Sequence, residues 1–424
     1  MSDKRQKNQL MLAFTDESRS EAPMVSAEGT ESIVAKRGTE SLAMGEQLME
    51  EVCARENCKQ ALARVKANKG SAGVDGMTVN ELPGFLKQHW PAIREQLLSG
   101  TYKPEPVKRV EIPKPDGGVR KLGIPTLLDR LIQQAVMQVL QSSWDRTFSE
   151  SSYGFRPGRS AHQAVARAQQ HIAAGRRWVV DLDLEKFFDR VNHDKLMSQV
   201  AGRITDKRLL RLIRSWLKAG AMENGLVGAT EEGTPQGGPL SPLLSNLVLD
   251  QLDRELERRG HCFVRYADDC NIYVRSERAG QRVMKSLTQF ITKKLELKLN
   301  EAKSAVARPQ ERKFLGFSFR VGPEVKRVTT PKALDRFKHR IREITRRAKG
   351  VSLGTTVEEL APYMRGWRNY FGFCETPEEL VSLTRWIRLA TSSGSVAAVE
   401  NPAPSPGGFD RAGGSAAAGE QHRR

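Results

Sequence analysis

The chain has 424 residues, and its 39% share of hydrophobic residues, ordinary for a globular protein, excludes a wholly disordered chain. Its 68 Lys and Arg outnumber its 50 Asp and Glu, and the formal net charge of +18 favours an anionic partner, either a nucleic acid or a membrane surface. The sequence has no secretory signal and no apolar run near the roughly 18 residues of a membrane span. Its five cysteines lack the spacing of a disulfide framework or a zinc cluster. These features together predict a cytoplasmic protein.

In chain order, residues 1–45 are polar and without periodicity, and we expect them to form a disordered leader. Apolar residues recur at helical spacing over 49–65 and predict a helix, which a glycine-rich turn follows. Residues 100–320 mix strand and helix patterns, beginning with an alternating strand at 107–112. Between residues 209 and 217, five apolar side chains share one face of a predicted helix.

A second predicted strand, at 178–184, carries alternating acidic residues. In an extended strand Asp181, Asp183 and Glu185 lie on one face, opposite apolar side chains. Carboxylates on one face repel one another unless a cation or a Lys or Arg side chain neutralises them. A solvent-exposed acidic face is the alternative interpretation of this strand taken alone.

Residues 263–274 predict a β-hairpin, because two β-rich runs flank a short polar centre. The tip carries adjacent carboxylates, Asp268 and Asp269, a pair that also suits a plain solvated turn. If the tip lies beside Asp183, the carboxylates form an oxygen-only site suited to Mg²⁺. Two such ions about 3.5–4 Å apart can activate an attacking hydroxyl and hold a leaving phosphate oxygen.

The sequence Tyr-Ala-Asp-Asp at 266–269, preceded by Asp183 with Phe188 five residues later, resembles the active site of reverse transcriptases. Further motifs follow in the family's order over about residues 48–388, and the set is similar to the reverse transcriptase/maturase encoded by bacterial group II introns. These motifs are Tyr-Lys-Pro at 102–104, Ile-Pro-Lys-Pro-Asp-Gly-Gly at 112–118, Arg-Lys-Leu-Gly-Ile-Pro at 120–125, Ser-Tyr-Gly-Phe-Arg-Pro-Gly-Arg-Ser at 152–160, Gly-Thr-Pro-Gln-Gly-Gly-Pro-Leu-Ser-Pro at 233–242, Asn-Glu-Ala-Lys-Ser at 300–304, Phe-Leu-Gly-Phe at 314–317 and Arg-Gly-Trp-Arg-Asn-Tyr-Phe at 365–371.

The resemblance implies an α+β fold of the right-hand polymerase class, with fingers, a palm whose antiparallel sheet bears the catalytic aspartates, and a helical thumb. Fingers and palm would occupy residues 46–325, and the thumb or maturase region residues 326–390. The implied activity is Mg²⁺-dependent DNA synthesis from deoxynucleoside triphosphates. The implied partners are an RNA template with a DNA primer and group II intron RNA, and a homodimer stays open.

The resemblance assigns catalysis to Asp183, Asp268 and Asp269, with Asp269 as the supporting carboxylate. The implied metal ligands are these three residues and Leu184. Spacing alone does not choose between Asp183 and Asp181, since both share one strand face. The choice comes from the family's distance between the aspartate and the phenylalanine that follows it.

The resemblance also implies contacts with the incoming nucleotide. Lys114 and Arg120 flank a turn of the fingers and would hold the triphosphate, the arginine as a fork and the lysine as a point charge. Without the family, both are equally well explained as surface charges. Phe188 would lie under the sugar and reject a 2′-hydroxyl, whereas the residue considered alone favours a core aromatic.

A Gln-Gly-Gly segment belongs to the same implied nucleotide site. Gln236 would touch the nascent base pair, and Lys303 is a further nucleotide contact. We expect Gly237 and Gly238 to let the backbone approach the primer–template closely, although a plain loop is the alternative.

Three amphipathic helices are predicted in the last third of the chain. They begin at 330–331, at Thr356 with Glu359 in a capping box, and at 376–377. Their basic faces would bind template–primer or intron RNA, unless they are simply solvated. The predicted RNA-binding residues are Arg336, Lys338, Arg340, Arg342, Arg346, Arg347, Arg365 and Arg368.

Residues 391–424 are rich in Gly, Ala, Ser and Pro and predict a disordered, low-complexity tail. The tail lacks the His and Cys supply of a metal-dependent endonuclease, so we expect a truncated C-terminus without that domain. Two alternatives stay open: a maturase that only binds RNA, and a retron-type or domesticated reverse transcriptase. The intact aspartates argue against the first, and the Arg-Gly-Trp sequence at 365–367 argues against the second.

Overall fold

The computed structural model describes residues 45–113, 118–223, 225–228, 232–234, 236–345 and 353–392. The chain forms two compact units, the first ending at Thr330 and including Phe373–Glu375, the second comprising Pro331–Gly372 and the residues from Thr376. No helix in these ranges has the length and apolar character that crossing a bilayer requires. Some sequence-based expectations fall outside the described residues, namely those for Lys114, Arg346, Arg347, residues 1–44 and residues 393–424.

The strands of the first unit are β1 (Val107–Pro113), β2 (Val119–Ile124), β3 (Trp178–Leu182), β4 (Ala221–Glu223), β5 (Leu226–Gly228), β6 (Cys262–Tyr266), β7 (Asp269–Val274), β8 (Ala305–Ala307), β9 (Phe317–Val321) and β10 (Val325–Thr329). They pair in the orders β2-β1-β4-β5, β6-β7-β3-β8 and β9-β10. All neighbours in the β6-β7-β3-β8 sheet are antiparallel. This sheet carries the acidic residues and is called the central sheet below.

The helices of the first unit are α1 (Leu48–Val52), α2 (Arg55–Ala67), α3 (Leu82–Ser99), α4 (Leu127–Trp144), α5 (Ala161–Ala173), α6 (His193–Ala201), α7 (Lys207–Lys218), α8 (Ser241–Arg258) and α9 (Glu277–Phe290). Helix α5 packs on β6 and β7, and α9 packs on β3 and β8. The approach of α9 requires Gly280, because a Cβ there would overlap the side chain of Val306. Buried side chains of the central sheet and of α4, α7 and α8 form one continuous core.

The predicted helix at 49–65 is wrong in one respect, because the chain breaks it into α1 and α2. Ala54 adopts an extended conformation (φ −59°, ψ 137°) between the two helices. The break frees the carbonyl of Val52, which accepts a hydrogen bond from the Asn57 amide at 3.0 Å and is contacted by the Cys58 sulfur at 3.4 Å. A side chain therefore satisfies the carbonyl that the helix no longer pairs, and periodicity alone does not reveal such a contact.

The other predicted elements of this unit are confirmed with small shifts. The strand at 107–112 is β1, and the apolar face at 209–217 belongs to α7. The acidic strand ends at Leu182 rather than at residue 184, but its alternation continues, with Leu184 buried and Asp183 half-buried. Helices together with a largely antiparallel set of strands confirm the α+β class.

The second unit contains α10 (Pro331–Thr345), α11 (Leu353–Phe371) and α12 (Pro377–Ser392). Its core joins Phe337 and Ile341 of α10 to Leu383 of α12, and the ring of Phe337 lies 4.5 Å from that of Trp367. The starts of α10 and α12 confirm the predicted starts at 330–331 and 376–377.

The predicted start of the middle helix is wrong, because α11 begins at Leu353, three residues before Thr356. Thr356 is therefore inside the helix and does not cap it. A threonine in a helix interior is less favourable than alanine by only a few tenths of a kcal/mol, so packing of Leu360 into the core can outweigh a local capping signal. Likewise α12 continues two residues past the expected tail boundary at 391.

Candidate active site

The acidic residues converge at one end of the central sheet. Strands β6 and β7 form the predicted hairpin, in which Tyr266 pairs with Asp269 across a two-residue turn, Ala267-Asp268. Strand β7 pairs with β3 on its other side, with Cys270 opposite Leu182. Because Asp183 directly follows Leu182, it lies at the same end of the sheet as the turn. The structure therefore brings Asp183, Asp268 and Asp269 together, as predicted from sequence.

The turn is held in a conformation that is unusual for its sequence. Ala267 has φ +55°, in the left-handed region that disfavours residues with a Cβ. Its carbonyl accepts a hydrogen bond at 2.9 Å from Nη1 of Arg265, which also donates to Oδ1 of Asn246 at 3.0 Å. On the other side lies Gly154, where a Cβ would overlap the backbone nitrogen of Ala267. The backbone that carries Asp268 is thus fixed from two directions.

Arg265 itself is fixed by a buried ion pair. Its Nε donates to Oδ1 of Asp253 at 2.7 Å and its Nη2 donates to Oδ2 at 2.5 Å, a bidentate arrangement with both side chains fully buried. Asn246 continues the network by donating from Nδ2 to the carbonyl of Gly154 at 2.9 Å. A connected set of buried polar groups therefore links α8 to the Ala267-Asp268 turn.

Asp183 and Asp181 have different surroundings. The Asp181 carboxylate forms an ion pair with Arg312, with Nη2 to Oδ2 at 2.6 Å. Asp183 is held through its backbone, with its N–H donating to Oγ of Ser304 at 3.0 Å and its carbonyl accepting from the Asn300 N–H at 2.8 Å. Within the described residues, the Asp183 carboxylate has no ion pair of its own. The geometry thus separates two aspartates that spacing alone leaves equivalent.

The carboxylates also influence one another electrostatically. Burial and the charge of Asp183 raise the pKa of Asp268, while the Arg120 guanidinium of β2 acts against this rise. The Asp269 side chain reaches solvent, yet partial loss of water and the charges of Asp268, Asp181 and Asp183 raise its pKa to about 7. These shifts mark a concentration of negative charge that a bound cation would relieve.

The donor set fits hard divalent cations. The side-chain ligands are carboxylate oxygens, which such cations prefer. Leu184 can contribute only its main-chain carbonyl, because the side chain of this residue is apolar and buried. No three His, Cys, Asp or Glu side chains of the described residues surround a common point. Mg²⁺ commonly needs no such cage, because it keeps water and takes phosphate oxygens alongside one or two carboxylates.

Phe188 lies five residues after Asp183, on a short helical turn, Phe187–Asp189. Phe187 is fully buried in the core, whereas Phe188 is half-buried and meets the Phe187 ring edge-on at 5.2 Å. The carbonyl of Phe188 accepts a hydrogen bond from the Thr234 N–H at 2.7 Å. Phe187 thus lies within the core, while Phe188 packs against the core from its edge and is half-buried.

The Gln-Gly-Gly segment packs against the protein itself. The Gln236 carbonyl accepts a hydrogen bond from the Gly123 N–H at 2.9 Å, and its side chain donates to Asp189 at 3.4 Å. A Cβ on Gly237 (φ +132°) would lie 2.8 Å from the Gly123 carbonyl, and one on Gly238 would overlap the Gln133 side chain. These contacts within the protein also favour glycine at both positions, and the expected close approach to primer–template stays a prediction.

The remaining predicted nucleotide and RNA contacts lie on the surface. Arg120 and Lys303 are exposed. In the second unit Arg336, Arg365 and Arg368 are exposed and Lys338 is half-buried. Two further arginines interact within that unit: Arg340 is paired with Glu343 at 2.7 Å and Glu359 at 3.5 Å, and Arg342 lies over the Trp386 ring at 5.5 Å.

Sequence reasoning missed the groups that position the turn, namely Arg265, Asp253, Asn246 and Gly154. One signal was available, because Arg265 interrupts the apolar run Phe-Val-Arg-Tyr of a predicted buried strand. A buried arginine requires a charged or polar partner. The sequence does not, however, say which of many distant acidic residues is that partner.

Two family models match the chain. Residues 112–319 match the reverse transcriptase (RNA-dependent DNA polymerase) family, and residues 334–392 match the group II intron, maturase-specific domain. Together with the antiparallel central sheet, the first match confirms the predicted α+β fold of the right-hand polymerase class.

Similar curated proteins include Protein YkfC of Escherichia coli K12, 42% identical over 191 residues, which are 44% of this chain and 50% of that protein. Group II intron-encoded protein LtrA of Lactococcus lactis subsp. cremoris is 32% identical over 327 residues, 62% of this chain and 54% of LtrA. The chain thus spans about half the length of the curated relatives it matches. Among solved structures, a chain of a partial Cas6-RT-Cas1–Cas2 complex is 28% identical, with a TM-score of 0.38, covering 58% of this chain and 42% of that one.

Proposed function

We propose that this chain, which belongs to the family of group II intron-encoded reverse transcriptase/maturase proteins, is an RNA-directed DNA polymerase that also binds its intron RNA to assist splicing and mobility. The observation that carries the proposal is the convergence of Asp183, Asp268 and Asp269 at one end of the central sheet. Mutually repelling carboxylates are unfavourable without a cation, and a protein that only binds RNA has no use for them.

Reverse transcriptases use divalent metal ions, and we propose Mg²⁺ here. Asp183 and Asp268 would hold the ions, with the main-chain oxygen of Leu184 as a further ligand and Asp269 as the supporting carboxylate. Bound Mg²⁺ supplies activation of the primer hydroxyl and stabilises charge on the leaving phosphate. The buried pair of Arg265 and Asp253 keeps the turn in place, so the carboxylates need not reorganise during the reaction.

Deoxynucleoside triphosphates are the proposed substrates. Arg120 would donate to triphosphate oxygens. Its exposure supports this role, as does its charge, which opposes the rise in the pKa of Asp268. The open part of Phe188 would meet the 2′ position of the sugar. Gln236, Lys303 and, in the turn before β2, Lys114 are the remaining proposed nucleotide contacts.

Group II intron RNA and an RNA template with a DNA primer are the proposed nucleic-acid partners. The exposed basic side chains of the second unit would contact RNA phosphates, since such contacts supply most sequence-independent affinity. This surface is formed by Arg336, Arg365 and Arg368, with Lys338, Arg340, Arg342, Arg346 and Arg347 as further proposed contacts. A cytoplasmic location and a homodimer stay predictions, the second of which sedimentation analysis can test.

The decisive experiment is primer extension on an RNA template by the wild type and by Asp268→Asn, with intron RNA binding and splicing measured in parallel. We expect the variant to lose extension and to keep RNA binding, because affinity comes from dispersed basic residues. Asp194→Asn is the matched control, since Asp194 is 79% exposed and pairs only with surface Arg214 at 2.7 Å among the described residues.

The three possible functions give different results. A wild type that binds and splices intron RNA but extends no primer would be a maturase without polymerase activity. Extension without any effect on intron RNA would favour a retron-type or domesticated enzyme. Full extension by Asp268→Asn would contradict the assignment of the active site.

A further inference from the structure

One aromatic residue beside the catalytic turn is in a conformation that folding does not explain. Phe155 has φ +59°, in the left-handed region that strongly disfavours a bulky side chain. Its side chain is also 40% exposed, and it is the only aromatic among the exposed large apolar residues in the described part of the chain. Glycine would avoid the strain, yet a partly exposed phenylalanine occupies the position, which indicates a role beyond packing.

The neighbours of Phe155 hold it rigidly. Its carbonyl accepts a hydrogen bond from Nε2 of Gln141 at 3.4 Å. The next residue, Arg156, is buried and bound to Asp145 with Nε to Oδ1 at 2.8 Å, and its Nη1 donates to the carbonyl of Ser149 at 2.6 Å. The ring is therefore presented from a fixed backbone.

This backbone lies against the site. Gly154, immediately before Phe155, is so close to the catalytic turn that a Cβ on it would overlap the nitrogen of Ala267. Phe155 is thus one residue away from direct contact with the backbone that carries Asp268. A strand end that reacts at Asp268 would therefore lie close to the segment that carries Phe155.

The surroundings are basic as well as aromatic. Arg159, although paired with Glu150, lies over the Tyr153 ring at 5.4 Å, and the charges of Arg159 and Arg167 both act on that tyrosine. Aromatic and basic side chains close together along the chain, with Phe155 as the exposed aromatic, are the residue types that proteins use to hold nucleic-acid strands without reading their sequence.

We propose that Phe155 is a positioning residue for the primer strand, against whose terminal nucleotides its ring packs. This inference rests on the proposed polymerase function, because it takes the reacting end of the strand to be at Asp268. The strained backbone holds the ring in its contact position before the nucleic acid binds, which reduces the ordering needed on binding.

The test compares Phe155→Gly, Phe155→Asn and Phe155→Trp. Glycine and asparagine both tolerate the left-handed backbone but lack the ring, whereas tryptophan keeps a ring. For Gly and Asn we expect KM for primer–template to rise about 5- to 150-fold, the equivalent of one lost base–aromatic contact. KM for the deoxynucleotide and the resistance to urea should be unchanged or improved, and the Trp variant should behave like the wild type.

The outcomes separate this inference from the function it rests on. If the wild type extends primers and Phe155→Gly uses primer–template equally well, the inference is wrong and the function stands. Unfolding of both Phe155→Gly and Phe155→Asn would show that the ring serves packing, which also overturns the inference. A wild type that extends no primer would instead refute the proposed function, and the inference with it.

Discussion

Removing the charge of Asp253 should destabilise the first unit and disturb the Ala267-Asp268 turn. The Asp253→Asn variant keeps the shape of the side chain but leaves Arg265 without its counter-charge, at a position where both side chains are fully buried. Breaking a buried pair from one side typically costs about 3–5 kcal/mol. The two hydrogen bonds of 2.7 and 2.5 Å agree with this value, since a hydrogen bond to a charged group contributes about 1.5–3 kcal/mol.

Urea unfolding followed by circular dichroism measures the effect, and thermal unfolding should show a midpoint lower by roughly 10 °C. Under conditions where Asp253→Asn is still folded, primer extension should fall as well, because Arg265 also donates to the carbonyl of Ala267. The exposed Asp194→Asn change, in a pair worth about 0–1 kcal/mol, is the matched control.

A double variant separates lost charge from lost shape. Replacing both partners, Asp253→Leu with Arg265→Met, should cost less stability than Asp253→Asn alone, because no unpaired charge stays buried. Extension by the double variant should nevertheless stay low, since the Ala267 carbonyl loses its donor. An Asp253→Asn variant within 1 kcal/mol of the wild type and fully active would refute this account of the turn.

Three further changes test other parts of the structure. Phe188→Ala should raise ribonucleotide incorporation in a nucleotide-competition assay while costing about 1–2 kcal/mol, less than a fully buried Phe, because its side chain is half-buried. Burial lowers the pKa of His171 to about 4, so the unfolded chain binds the proton first below pH 6.5. Because the raised pKa of Asp269 acts in the opposite direction in both proteins, the test is the stability of the wild type relative to His171→Gln, which should fall by about 2 kcal/mol from pH 7 to 5. The added Cβ of Gly154→Ala should displace the backbone of Ala267, which carries Asp268, and so abolish primer extension. Gly84→Ala, where the Cβ meets open space on α3, should leave extension unchanged.

Much of the site could be predicted from local sequence. Alternating polarity at 178–184 and the β-rich runs around Asp268 each determine a strand, and sheet geometry then limits where their carboxylates can meet. The starts of α10 and α12 follow from a hydroxyl residue followed by proline, a signal contained within two residues.

The parts that could not be predicted depend on contacts between distant residues. The family's spacing selects Asp183, but the ion pair that occupies the Asp181 carboxylate depends on Arg312, 131 residues further along the chain. The break between α1 and α2 depends on an Asn57 amide that also donates to the carbonyl of Ala135 at 3.1 Å. Such pairings become specific only in the folded chain, because local propensity is weak compared with tertiary packing.

The most direct test of the central claim compares primer extension by Asp183→Asn with that by Asp181→Asn on the same RNA template. Our account predicts that Asp183→Asn loses extension by about 100-fold or more, because a charge that holds a catalytic metal contributes several kcal/mol. Asp181→Asn should keep extension within about tenfold of the wild type, a cost of no more than about 1.4 kcal/mol, since its carboxylate serves Arg312. The opposite order, with Asp183→Asn active and Asp181→Asn inactive, would contradict it.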